Sequence, residues 1–189
     1  RLITKIPLRA ALAYVYEVML FQVQWGFRKR GRSREDFERY IEREVRPVYR
    51  TLVERVEREQ ILQTQAVYGY WPCNSEGDEL IVYSPEAPQK RELLRFTFPR
   101  QKQAPHWCLS DFWRPVSSAQ TDVVAFHIVT AGRRVSDVAR EWFAKNDYQQ
   151  YLFLHGLGVE TAEALAEYMH KQVRMELGIA GKDAREINK

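Results

Sequence analysis

The stretch "VYGYWPCNSEGDELIVY", residues 67–83, sets a thiol, Cys73, behind three aromatics and a proline and in front of a turn. A nucleophilic thiol needs its pKa lowered by a helix N-terminus or a cationic neighbour. Cys73 has no basic residue near it in sequence, so it reads as a small buried or half-buried hydrophobe. The other cysteine, Cys108, closes "HWC". His106 and Cys108 could ligate a metal, with His127, His155 or His170 completing the set. Their spacing fits no zinc pattern, and His127 inside an apolar strand reads as a hydrogen-bonded core histidine. "GLG" at 156–158 lacks the third glycine and the preceding strand of a dinucleotide fingerprint, and reads as a helix break or a close-packing point.

Two carboxylates are more informative. Glu17 is the one acid among residues 1–34, which also hold eight lysines and arginines. At 100° per residue it projects opposite a stripe of Leu8, Leu12, Val15 and Met19. It either softens a basic patch or aims at a cationic ligand group such as an ammonium. Glu163 lies in "VETAEALAEYMHKQV" on the flank of an expected buried stripe of Ala162, Leu165, Ala166, Met169 and Val173. Spacing alone favours a surface ion pair there. No Ser/His/Asp set and no metal cluster stands out, which points to a binding or partner-dependent module.

These residues are carried by helical ends and a strand-rich middle. "LRAALAYVYEVML" behind Pro7 predicts a helix, and "QWGFRKRGRS" a basic loop. A long helix follows from an N-cap at Ser33, with Pro47 predicting a kink. "AVYGYW", "ELIVY", "ELLRFTF" and "DVVAFHIVT" read as strands of an antiparallel sheet, with "NSEGD" as a hairpin loop. "VSDVAREWFAKN" and a segment from about Asp147 to Leu177, interrupted at Gly156 and Gly158, return to helix. "GIAGKDAREINK" trails off with weak helix signals. The expected class is α+β, a twisted antiparallel sheet with flanking helices. One domain is expected over 1–189: a helical part at 1–62, a sheet at 66–131 and a helical part at 135–189.

The 189 residues, 45% apolar and 13% aromatic, suffice for a core. No apolar run is long enough for a membrane span. Two cysteines make no disulfide framework, and a reducing cytoplasm is the expected location. The net charge of +4 is uneven: residues 1–34 carry +7, leaving −3 for the rest. Such an end suits an acidic protein, an anionic small molecule or nucleic acid, but no nucleic-acid-binding motif accompanies it. The chain starts at Arg1 and reads as a piece of a longer protein.

"YGYWPCNSEGDELIVY", "CLSDFWRP", "TDVVAFHIVTAG" and "AEALAEYMHKQVR", in order and in one register, resemble the C-terminal activation domain of cobalamin-dependent methionine synthase. The resemblance runs from about Tyr14 to Lys189. It implies a bent, helmet-like α+β domain that binds S-adenosylmethionine and presents its methyl group to cobalamin held by a neighbouring domain. That enzyme carries methyl groups from methyltetrahydrofolate to homocysteine. When its cobalamin is oxidised to cob(II)alamin, rescue takes an electron from flavodoxin or another reductase and a methyl group from S-adenosylmethionine. The implied partners are the cobalamin-binding domain of the same protein and the reductase, with no nucleic acid and no membrane.

Two site residues follow from the resemblance. Glu163 in "AEALAEY" matches a ligand-contacting glutamate, and Glu17, eight residues before Trp25, stands where the family can place an aspartate near the ligand. The family's main ligand segment, an arginine followed by a Gly-Tyr-Pro-Ala-Cys-Pro run, does not occur before Lys189. The chain is therefore expected to be an incomplete activation domain that binds S-adenosylmethionine weakly or not at all by itself. The alternative is an interaction domain that docks the cobalamin domain or flavodoxin without using S-adenosylmethionine.

Overall fold

The computed structural model describes residues 1–87 and 90–183. Its class is α+β. The contacts divide the chain into two units, one of residues 1–67 and 127–189 and one of residues 68–126. The last residues of the tail "GIAGKDAREINK", 184–189, lie outside the described residues.

The first unit is mostly helical. Strand β1 (Leu2–Ile3) is followed by α1 (Leu8–Leu12). The single helix expected from Leu8 to Leu20 is broken: residues 13–16 turn, and winding resumes at residue 17 into a π-helical segment, Met19–Gln24. The alternation of β-branched and aromatic residues in "YVYEV" weakens helix there. The break resets the phase, so Met19 is exposed while Leu20 and Phe21 are buried, contrary to the expected stripe. Trp25 N–H donates to the Leu20 carbonyl at 2.9 Å, five residues back, which is the π pattern.

The long helix after the basic loop starts at Ser33, whose hydroxyl accepts from Asp36 N–H at 3.0 Å. It runs as α2 (Arg34–Tyr40), a π-helical turn (Ile41–Val45) and α3 (Arg46–Arg58). Where Pro47 predicts a kink, the backbone widens instead. Pro47 has no N–H and crowds the carbonyl four residues back, and the preceding π turn accommodates both.

Helix α4 (Arg134–Ala144) leads to α5 (Tyr148–Glu176), capped by Asp147. The expected interruption at Gly156 and Gly158 does not occur. A Cβ on Gly156 would sit 2.8 Å from Gln24 Cβ and 3.0 Å from Trp25 Cδ1, and one on Gly158 3.0 Å from Val135 Cγ2. The glycines are points of close packing inside a continuous helix. α5 packs against α1, α4 and the π-helical segment Met19–Gln24. Trp25 lies 4.7 Å from the Phe153 ring and donates its indole N–H to the Phe153 carbonyl at 3.0 Å. Leu20, Val45, Val56, Ile61, Leu154 and Leu157 are fully buried in this core.

The second unit is built on strands. The sheet order is β1-β2-β3-β4, with β5 also pairing β2. Its strands are β2 (Gln65–Glu76), β3 (Glu79–Tyr83), β4 (Glu92–Thr97) and β5 (Asp122–Thr130), and the β1–β2, β2–β3 and β3–β4 pairs are antiparallel. The expected hairpin loop "NSEGD" shrinks to Gly77–Asp78, with Glu76 opposite Glu79 and Gly77 at a φ of 58°. Asn74 and Ser75 belong to the strand because their polar groups are satisfied inside. Asn74 Nδ2 donates to the carbonyls of Arg114 at 3.0 Å and Gln120 at 2.7 Å, and Ser75 Oγ to that of Trp113 at 2.9 Å.

Candidate functional site

Cys73 faces Val82 across the β2–β3 pair and is fully buried. Burial, with a smaller contribution from the Asp122 carboxylate, pushes its thiol up to about 12. It is a protonated core residue at neutral pH, packed with Leu80, Val82 and Val124. Cys108 is also buried, its N–H held by Asp111 Oδ2 at 2.8 Å. Asp111 in turn is drawn down to about 2, first by the Arg100 guanidinium and then by that backbone bond. His106 Nδ1 sits 3.1 Å from the Gln101 carbonyl, and the His155 ring stacks on Tyr151. His127 is only half-buried and, contrary to expectation, its ring makes no hydrogen bond with a described residue. Among the described residues no three His, Cys, Asp or Glu side chains gather as metal ligands.

The two sequence-derived carboxylates open onto different clefts of the first unit. Glu17 begins the winding that becomes the π-helical segment, and it meets α3. Arg46 grips it with both terminal nitrogens, Nη1 to Oε1 and Nη2 to Oε2, each at 2.6 Å, and also contacts Glu42 through Nε. This bidentate fork is the strong form of the arginine–carboxylate pair. The surrounding cleft is lined with Phe21, Phe37 and Ile41 and rimmed by Lys29 and Arg34.

Glu163 lines another cleft, of about 370 Å³, together with Tyr14, Tyr16, Met19, Gln24, Val159, Glu160, Ala164 and Glu167. Its acids stand at i, i+3 and i+7 on α5, one face of the helix. Among the described residues no lysine, arginine or histidine lines this cleft. Glu163 and Glu167 are exposed, and neither makes an ion pair or hydrogen bond with a described residue. By contrast Glu38, Glu42, Glu57 and Glu59 each hold an arginine.

Glu160 is the residue that sequence reasoning missed. It is 5% exposed, and its Oε1 accepts from Gln24 Nε2 at 3.1 Å. Burial holds its carboxyl above the ordinary range; the Gln24 bond pulls it back, and the like charge of Glu163 adds to the rise. The buried face of α5 runs through Gly156, Leu157, Glu160, Thr161, Ala164 and Leu165; Ala162 and Ala166 are half-buried, which corrects the expected stripe. The missed signal was an acid four residues after Gly156 and four before Ala164, squarely on an apolar face. A cation placed in this cleft would meet three acids and two phenols and, among the described residues, no like charge.

A family model, "Vitamin B12 dependent methionine synthase, activation domain", matches residues 13–188. Methionine synthase of Mycobacterium tuberculosis is 41% identical over 171 residues, covering 87% of this chain and 14% of that protein. Methionine synthase of Mycobacterium leprae is 36% identical over 187 residues, 96% of this chain and 16% of that protein. The chain thus spans about one-sixth or less of the length of these relatives. A crystal structure described as the MetH reactivation domain bound to AdoHcy superimposes with a TM-score of 0.79 at 23% identity, covering all of this chain and 59% of that one. No helix among the described residues is long and apolar enough to cross a membrane.

Proposed function

The chain belongs to the activation-domain family of vitamin B12-dependent methionine synthases, and from that premise we propose that it binds S-adenosylmethionine and presents the methyl group to cobalamin on another domain during reactivation. The observation that carries this reading is the acidic cleft around Glu163, which has no countercharge among the described residues, on a chain matched along residues 13–188. A ligand with a sulfonium and an ammonium fits such a cleft. The structural relative's AdoHcy is the same ligand without the transferred methyl group.

The cobalt of cobalamin supplies the methyl-accepting centre, and the sulfonium already activates the methyl group. What remains for this chain is to bind, orient and desolvate a cation, work that positioning alone can make worth ~7–11 kcal/mol. Glu163 is the residue assigned to the ligand's positive group. Glu17 is assigned more narrowly: its carboxylate holds Arg46, so a ligand cation reaches it only by displacing that guanidinium. The whole activity, methyl transfer from methyltetrahydrofolate to homocysteine, belongs to the longer polypeptide. Reducing cytoplasm is the proposed setting, consistent with free Cys73 and Cys108.

Calorimetric titration with S-adenosylmethionine tests the reading. The isolated chain is expected to bind weakly or undetectably, and a polypeptide extended through the rest of the domain to bind at least tenfold more tightly. Micromolar binding by the isolated chain would show that the cleft around Glu163 suffices for the ligand. No binding by the extended polypeptide would sink the ligand, leaving the pure interaction domain as the better reading.

The proposed reductase partner, flavodoxin or another acidic protein, is assigned to the basic loop. Arg28, Lys29 and Arg30 make no ion pair with a described residue, and Arg32 rests on Tyr40 at 4.4 Å. Exposed charge of one sign steers association, so the association rate is expected to fall severalfold between about 0.05 and 0.2 M salt, within the screening range. A rate indifferent to salt in stopped-flow mixing would reject this surface.

A further inference from the structure

We propose that Glu160 couples ligand binding to proton release: its carboxyl holds a proton more firmly in the empty cleft and gives it up when a cation seats against the Glu160–Glu163 face. This rests on the reading of the cleft as the S-adenosylmethionine site and assigns that site a second, positioning carboxyl.

Three observations carry it. The first is place: Glu160 lines the cleft one turn before Glu163 on the same face of α5. The second is burial. At 5% exposed, the group carries a charge at a desolvation cost that an arriving countercharge would offset. The third is its surroundings. From the π-helical segment Gln24 offers a neutral amide at 3.1 Å, while Tyr14 and Tyr16 line the cleft with their phenol rings. From its own helix Glu163 and Glu167 bring like charge. Among the described residues no cation lines the cleft, and burial, with Glu163 adding to it against the pull of the Gln24 bond, raises the carboxyl's hold on a proton. An arriving cation reverses this balance. The Glu160 O–H proton leaves to solvent, the carboxylate stays hydrogen-bonded to Gln24, and the ligand's positive charge replaces the lost proton's.

The linkage has a definite sign. Binding that releases a proton strengthens as pH rises, by at most about tenfold per pH unit for one proton, and levels off once Glu160 is already ionised in the free protein. The raised carboxyl places this slope above the ordinary glutamate range near pH 4.5.

The test is calorimetry with S-adenosylmethionine on the enzyme polypeptide that carries this domain, between about pH 4.5 and 7.5, in buffers of differing ionisation enthalpy. The wild type is expected to release up to one proton and to bind more tightly with rising pH. E160Q is expected to release none and to lose the slope, while E160D restores it. E163Q is expected to bind at least tenfold more weakly throughout. If E163Q weakens binding but E160Q keeps the wild-type slope and proton release, the inference is overturned and the functional reading stands. If E163Q leaves binding unchanged, the ligand does not sit in this cleft and the inference falls, while the functional reading stands or falls with binding by the wild type.

Discussion

Gly156→Val is expected to destabilise the helical unit by about 3 kcal/mol or more, and Gly156→Ala by about 1–2 kcal/mol net. Alanine in the middle of a helix ordinarily gains up to ~1 kcal/mol over glycine through backbone entropy. Here the gain is outweighed. The new methyl would lie 2.8 Å from Gln24 Cβ and 3.0–3.1 Å from the Trp25 indole. A Cβ cannot swing aside as a side-chain tip can. Relief therefore requires moving the π-helical segment away from α5, which loosens the Trp25–Phe153 hydrogen bond and the aromatic cluster around it. Valine adds two more methyl groups to the same gap. Urea denaturation reads the effect as a lower midpoint at unchanged slope. Gly181→Ala, with open space around it, is the control and should stay within ~0.5 kcal/mol. A Gly156→Ala variant as stable as wild type would refute the close-packing account.

Glu163→Gln is expected to weaken S-adenosylmethionine binding about 10- to 100-fold, the cost of removing one charged partner at ~1.5–3 kcal/mol. Glu163→Lys, which puts a cation where the ligand's cation should sit, is expected to abolish binding. Neither should alter folding, because Glu163 is exposed and has no partner among the described residues. The informative assay is reactivation in the full enzyme: loss of the S-adenosylmethionine-dependent step, with unchanged melting temperature and unchanged turnover before inactivation. Glu17→Ala serves as the comparison. It frees Arg46 from its bidentate partner, and if reactivation survives it unchanged, Glu17 is an ion-pair residue and not a ligand residue. Unchanged reactivation in the Glu163 variants would remove this cleft from the mechanism.

The sheet was legible because its signals are local. "ELIVY" and "DVVAFHIVT" are dense in β-branched and aromatic residues, and a two-residue turn with a glycine at positive φ joins β2 to β3. Asn74 and Ser75 misled because polar residues before a glycine resemble a loop; what keeps them in the strand is a set of carbonyls 38 to 46 residues away. The long helices were legible from caps and stripes, and Ser33 and Asp147 cap as their residue types suggest. Gly156 and Gly158 misled in the opposite direction. Low helix propensity is a local penalty, and tertiary packing that only a glycine permits overrides it.

The candidate cleft was legible only in part. Family likeness pointed to Glu163, but nothing local distinguished it from an ordinary surface acid. Its distinction is that no cation among the described residues lines its cleft, which becomes visible only once Tyr14, Tyr16 and Gln24 are folded against α5. Glu160 could have been found from the periodicity of α5 alone, since a carboxylate on the buried face demands either a partner or a task. For Glu17 the sequence left two readings open, and the partner that decides its present state, Arg46, is 29 residues away.

The π-helical segment Met19–Gln24 has a consequence for comparing relatives. A π turn closes its hydrogen bond five residues back instead of four, which amounts to one residue inserted into an otherwise α-helical register. Alignments of this family should therefore admit a single-residue gap within 19–24. Counting eight positions back from Trp25 crosses that turn and arrives at Glu17. Against a relative that winds the same stretch as plain α-helix, the spatially equivalent residue lies one earlier, at Tyr16, and Tyr16 opens onto the cleft of Glu160 and Glu163. Homology in this stretch is better assigned by superposition than by counting.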